Sequence, residues 1–277
     1  NTAYPWSRGE NYMVSFYGRI NYSIASKYLF TASVRYDGSS RFAKDNRWGL
    51  FPSGAFAWNI KQEDWLKDTK AVSQLKLRLS AGQTGQQDGI ANYSYMPIYY
   101  LSTNSYDRYN MGSAGLQSYY TPGSYDPDIT WETTTTYNVG VDFGFCDDRI
   151  TGNVDAYVRN TSDLLNEVIT PMGANFGNKI LTNIGSMQNK GIEFSLNVVP
   201  VQTKDWHLSI GFNGTFQDTK ITKLNTSDDP RYMEQVVDIE KGTGSKFSFH
   251  KVGYAPYTYY PYQQLYDSNG KPIQNAF

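Results

Sequence analysis

A single cysteine, Cys146, stands in 277 residues, so neither a disulfide framework nor a multi-thiolate metal site can be built from this chain. Histidine is nearly as scarce. His207 and His250 are the only two, and neither shares a short spacing with Cys146 or with a carboxylate pair. No nucleophile, base and orienting group come together, so the sequence offers no catalytic residues, no metal set and no cofactor motif. An excess of one charge is also missing, with 25 Lys+Arg against 26 Asp+Glu, which argues against nucleic acid as a partner and against an acidic tail. No apolar run approaches the roughly 20 residues of a membrane-spanning helix, in keeping with a mean hydropathy of −0.57.

Aromatic residues and glycine are abundant instead. The chain holds 24 Tyr, 14 Phe and 6 Trp beside 24 Gly, a mixture suited to strands, wet turns and sheets that meet a membrane interface. Long period-2 runs repeat along it. Val14, Phe16, Gly18, Ile20 and Tyr22 alternate with Ser15, Tyr17, Arg19, Asn21 and Ser23. Tyr28 to Tyr36 repeats the pattern, followed by Trp48 to Ile60, Leu75 to Ala81 and Tyr137 to Phe145. Ile150 to Arg159, Ile192 to Val198 and Trp206 to Phe216 complete it. Eight strands are expected between about Tyr12 and Lys220.

The links between them alternate in length. Short turns are expected at Ala25-Ser26-Lys27, Cys146-Asp147-Asp148-Arg149 and Val201 to Asp205, and longer polar links from Gly85 to Thr130 and from Thr161 to Asn189. Strands three and four share a medium turn with a helical piece at Glu63-Asp64-Trp65-Leu66-Lys67. Turns at one end and loops at the other are the up-and-down pattern of transmembrane β-barrels; Greek-key sandwiches have no reason to follow it. Tyr12 and Tyr22, like Trp48 and Trp58, lie ten residues apart on one face. Ten tilted residues rise roughly 23 Å, close to the apolar band of about 25 Å between two aromatic girdles. The alternative is a large soluble sheet whose aromatics form a core. At about 26 residues per strand, a 22-stranded barrel needs roughly 570 residues. The turn Tyr266 to Pro272 lies near the last residue, Phe277, so the expectation is an interrupted chain.

Several blocks, in order, resemble the barrel of SusC/RagA-type TonB-dependent outer-membrane transporters. They are Arg35-Tyr36-Asp37-Gly38-Ser39-Ser40-Arg41-Phe42, Asn46 to Ser53, Leu75 to Gln87, Trp131-Glu132-Thr133 into Asn138 to Phe143, Asp155 to Leu165, and Asn183 to Glu193. The resemblance implies an all-β fold, in which residues 1–277 supply about eight to nine antiparallel up-and-down strands of a 22-stranded transmembrane β-barrel. The plug domain and the C-terminal strands would lie outside this chain. It implies import of oligosaccharides or peptides across the outer membrane of a Gram-negative bacterium. The energy would come from a TonB-ExbB-ExbD complex acting through the missing N-terminal region, and a SusD-like surface lipoprotein would sit over the mouth. Outer-membrane lipid would surround the wall.

Within that frame the long loop is the first place to look for ligand or partner contact, through Tyr99, Tyr100, Tyr106, Tyr109, Tyr119, Tyr120 and Tyr125. Tyrosine suits sugar rings and wet protein interfaces alike; the bland reading is a loop packed on itself. Arg19, Arg35, Arg78 and Arg159 are candidate lumen-facing residues that guide a polar solute, or else pair with acidic neighbours or a plug. Asp147-Asp148 and Asp228-Asp229 read as solvated turn or loop chemistry, with a cation at Asp228-Asp229 the minor alternative; Asp267-Ser268-Asn269-Gly270 opens like a calcium loop but lacks the Asp-Gly continuation and the twelfth-position Glu, and stays open. Two other classes stay open: a soluble or surface-attached glycan-binding module, and an outer-membrane adhesin that does not transport.

Overall fold

The computed structural model describes residues 9–101, 109–110, 112, 115–170, 173–224, 234–236, 248–259 and 265–273. Eight long strands form one antiparallel sheet: β1 (Met13–Ile24), β2 (Tyr28–Ser39), β3 (Trp48–Asn59), β4 (Val72–Gln86), β5 (Glu132–Phe145), β6 (Ile150–Ile169), β7 (Lys179–Gln202) and β8 (His207–Lys223). Each strand pairs with its neighbour in sequence, so the sheet is a pure meander. Among the described residues β1 has one partner only. At the far edge of β8, Ile221 exchanges backbone hydrogen bonds with Gly253 and Tyr254.

The expected turns are present. Lys27 N–H donates to Ile24 C=O at 2.9 Å, with Ala25 and Ser26 at φ 51° and 56°; two left-handed central residues match the twist of a hairpin. Cys146, Asp147 and Asp148 are left-handed too. Three expectations about the links need correction. The helical piece is displaced to a short 3-10 turn at Ile60–Gln62, with only turns after Glu63. The link drawn from Thr161 to Asn189 is mostly strand, because β6 runs to Ile169 and β7 starts at Lys179. There the apolar alternation has ended while backbone pairing continues past a bulge. Likewise β7 extends through Val201 to Gln202, leaving a tight turn closed by Thr203 N–H on Trp206 C=O.

Register places every apolar run on one face. A single row of directly paired residues crosses the sheet from Tyr22 through Phe30, Phe56, Leu79, Val139, Ala156 and Ile192 to Phe216. Toward the loop end, apolar residues continue on that face of β1 for eight positions, to Val14. On β7 and β8 the next residues on the face are already Lys190 and Asp218. The belt therefore slides by eight positions over the seven steps from β1 to β8. At about 3.3 Å along a strand and 4.8 Å between strands, this is a tilt of about 38°, inside the roughly 35–45° of outer-membrane barrels.

This face is exposed, with Ile20 at 73%, Phe212 at 62% and Phe216 at 73%. Such a continuous apolar surface needs a nonaqueous neighbour. Aromatic clusters mark its two ends on β2 and β3. Tyr36 stacks on Trp48 at 4.7 Å near the loops. Near the turns Tyr28 stacks on Trp58 at 6.4 Å. Both turn-end rings are tied to Glu63, whose carboxylate accepts Tyr28 Oη at 2.9 Å, Trp58 Nε1 at 3.0 Å and Lys27 Nζ at 3.0 Å. Those donors hold the Glu63 pKa down at about 2.

Candidate functional site

The opposite face carries the polar half of each alternation, and its side chains interlock. Arg78 on β4 reaches across β5. Its guanidinium donates to both carboxylate oxygens of Asp142 at 2.8–3.0 Å and to Asp155 Oδ2 on β6 at 2.9 Å. The crossing requires Gly140 on β5, because a Cβ there would lie 2.3 Å from Asp155 Oδ1 and 2.8 Å from Arg78 Nη2. Arg35 donates its Nε to both oxygens of Asp37 at 2.7 and 2.8 Å, and Nη2 to Ser15 Oγ at 3.3 Å. Arg159 lies over the Tyr157 ring, 4.6 Å from its centroid, a cation–π contact. Arg19 is exposed and pairs by register with Ser33. The four arginines share a face, but each of Arg35, Arg78 and Arg159 closes on its own partners, so they form no single cationic track.

At the loop end of this face an aromatic knot gathers distant segments. Phe42 and Ile129 are 0% exposed, and Phe51, Ile90 and Trp131 complete the cluster. Phe42 lies 4.9 Å from Trp131, and Phe51 meets the same indole edge-on at 5.6 Å. Gly49 and Gly85 leave the space that the Phe51 ring fills, since a Cβ at either would strike it. Trp131 Nε1 donates to Arg47 C=O at 3.2 Å. The Asn183 side chain clamps the loop further, accepting from Thr130 N–H at 2.8 Å and donating to Thr130 C=O at 2.9 Å. The base of the long loop is thus fixed to the polar face by burial and by side-chain mimicry of strand pairing.

Beyond its base the loop holds two short antiparallel ribbons, one pairing Tyr99–Leu101 with Tyr120–Pro122 and the other Tyr109–Asn110 with Leu116–Gln117. Tyr99, Tyr100 and Tyr120 are exposed at 58%, 60% and 69%. Tyr119 is also exposed, and Tyr125 stacks on Phe176 at 6.3 Å. Tyr109 is placed on the second ribbon, and Tyr106 lies outside the described residues, as does Asp228-Asp229. The Asp267 carboxylate accepts the amides of Asn269 and Lys271 at 2.8 and 2.9 Å, which is Asx-turn geometry.

Comparison with known proteins decides the family. A family model described as TonB dependent receptor-like, beta-barrel matches residues 1–275. The chain belongs to this family. It is 48% identical over 271 residues to the TonB-dependent receptor SusC of Bacteroides thetaiotaomicron, covering 96% of this chain and 26% of that protein. It is 36% identical over 220 residues to the TonB-dependent receptor P3 of Formosa agariphila, covering 79% of this chain and 21% of that protein. Among solved structures, the RagAB peptide importer in its closed-closed state superposes with a TM-score of 0.74 at 26% identity, over 94% of this chain and 28% of that one. The chain therefore spans about a quarter of the length of these relatives. The eight-stranded meander is a part of a TonB-dependent receptor barrel of SusC/RagA type, and the family is one of receptors and transporters rather than enzymes.

The acidic partners of Arg78 were legible only as polar positions in two separate runs. Asp142 and Asp155 lie 64 and 77 residues from it, and nothing local joins them. Tyr17, Gln87 and Trp131, which line one recess with Arg35, were not singled out as site residues by the sequence. The available signal was an aromatic at a polar position of an otherwise regular alternation.

Proposed function

We propose that this chain is wall and mouth of an outer-membrane importer of oligosaccharides or peptides, energised by TonB and working with a SusD-like surface lipoprotein. The observation that carries this reading is the apolar face, continuous and in register over eight strands, backed by an ion-paired polar face. Placed in a bilayer, the first would meet lipid and the second a lumen. A sheet with open edges cannot stand in hydrocarbon, so further strands would close it, in line with a 22-stranded barrel. Arg19, Arg35, Arg78 and Arg159 would then look into the lumen, and the exposed tyrosines of the ribbons would meet lipoprotein or solute. Family membership and the likeness to the RagAB peptide importer support import. The test is uptake of labelled oligosaccharides and peptides by cells that make the full-length protein, with and without a functional TonB. TonB-dependent uptake of either is expected. Uptake of neither, by cells whose outer membrane contains the protein, would sink the importer reading in favour of an adhesin.

A further inference from the structure

The apolar face does not end alike across the sheet. On β2 and β3 its loop-ward limit is the stacked pair Tyr36 and Trp48, an aromatic girdle. On β7 and β8 it is a group of lysines. Lys190 pairs by register with Asp218, and two residues further along the strands Gln188 pairs with Lys220. A bulge then brings Lys223 opposite Ser186, so Lys223 joins the face that carries Gln188 and Lys190. At a tilt of about 38°, each two-residue step adds about 5 Å of height. The three lysines therefore stand about 5, 10 and 16 Å beyond the last apolar pair, Ile192 and Phe216.

Charge on this strip is unbalanced. The Asp218 carboxylate lies 3.1 Å from Lys220 Nζ and 3.9 Å from Lys190 Nζ. Lys223 is exposed and has no carboxylate partner among the described residues. The neighbours in the same rows carry no charge: Tyr137 and Val158 beside Lys190, and Thr135, Asn160 and Gln188 beside Lys220. Immediately below lies a flat apolar shelf. Phe216 is 73% exposed, and the Phe194 ring lies 6.4 Å from it and 5.6 Å from Phe212. Gly214 leaves the space for that ring, since a Cβ there would stand 2.7 Å from it.

Cations above an apolar shelf suit an anionic amphiphile, its chains on the rings and its head group on the ammonium groups. Height selects among such lipids. A phospholipid head-group layer extends about 5–8 Å past the hydrocarbon, which reaches the level of Lys190 but not of Lys220 or Lys223. A sugar-bearing head group reaches further, and the loop end of such barrels faces the outer leaflet.

We propose that this strip binds the phosphorylated head group of an outer-leaflet glycolipid. Lys190, Lys220 and Lys223 donate to its phosphate oxygens, and its acyl chains lie on Phe212 and Phe216. The assignment rests on the reading that the apolar face meets lipid and is independent of what is imported.

The test uses the full-length protein, purified in detergent and freed of lipid, with binding followed by native mass spectrometry. The probes are a bisphosphorylated lipid A, the same lipid after enzymatic dephosphorylation, and phosphatidylglycerol, with inorganic phosphate as competitor. The bisphosphorylated lipid should bind at least tenfold more tightly than either of the others. Lys220→Gln and Lys223→Gln should each weaken it about fivefold, and Asp218→Asn, which removes the competing carboxylate, should tighten it. Lys76→Gln, on the polar face, should change nothing. The three lysines are exposed, so their variants should still assemble. Equal binding after dephosphorylation, equal binding of phosphatidylglycerol, displacement by inorganic phosphate, or indifference to the Lys220 and Lys223 variants would each overturn the site. Whether the face meets lipid at all is judged separately, by whether Ile20→Arg depletes the protein from the outer membrane.

Discussion

Gly140→Ala tests whether the polar face is stitched across three strands. The added methyl would sit 2.3 Å from Asp155 Oδ1 and 2.8 Å from Arg78 Nη2, so the 2.9 Å bond between those residues must open. Hydrogen bonds to charged groups contribute about 1.5–3 kcal/mol. Arg78 and Asp155 are 31% and 14% exposed at their side chains, and screening favours the low end, about 1.5–2 kcal/mol. Replacing glycine also restricts the unfolded chain, a gain of about 0.4–1 kcal/mol, so the comparison should be with a matched control. Gly211→Ala serves, because the nearest atom to its new methyl is Asn197 Oδ1 at 3.9 Å. The assay is urea unfolding of the full-length protein in lipid vesicles. Gly140→Ala should fall below Gly211→Ala by about 1.5–2 kcal/mol. Gly140→Ala should cost less on an Asp155→Ala background than in the wild type, because the 2.3 Å contact is gone while the 2.8 Å approach to Arg78 Nη2 remains. Equal stability of the two glycine variants, or simple additivity in the double variant, would refute the stitch.

Glu63→Gln should flatten the acid limb of stability. A carboxylate whose pKa is lowered from 4.5 to about 2 by its donors contributes stability that is fully present above pH 4.5 and lost as pH falls toward 2. Unfolding midpoints of wild type and variant should converge across that window, and parallel curves would count against the Glu63 anchor. Phe42→Ala empties a site of 0% exposure at a cost of about 3–5 kcal/mol. It should release the base of the long loop to limited proteolysis between residues 87 and 131, and an unchanged cleavage pattern would mean that the knot does not hold the loop. Ile20→Arg on the apolar face should cost about 2–4 kcal/mol and deplete the protein from the outer membrane. Asn21→Arg, one residue away on the other face, should leave its level unchanged, and the reverse order would invert the two faces.

Alternation is a local property, since successive side chains of a strand point to opposite sides whatever the strand pairs with. For that reason Val14 to Tyr22 or Tyr137 to Phe145 could be read as strands, assigned an apolar face and counted to eight before any partner was known. The turns at Ala25-Ser26 and Cys146-Asp147-Asp148 were legible for a similar reason, since each joins runs whose apolar faces must continue. Strand ends were not legible where apolar patterning stops before pairing does, as at Leu164 to Ile169 and Lys179 to Met187. Backbone hydrogen bonds there persist on residues of any polarity.

Two faces, eight strands and the alternation of turns and loops all follow from residue spacing over a few positions. Tertiary structure alone decided the rest. Register slides the apolar belt along successive strands, and only pairing can set register. It brings Arg78 to Asp155 over a glycine, and Phe42, Phe51 and Trp131 into one knot. It also sets Tyr17 and Gln87 around one recess. These contacts join residues tens of positions apart, and their energy comes from burial and charge pairing that exist only once the sheet has formed.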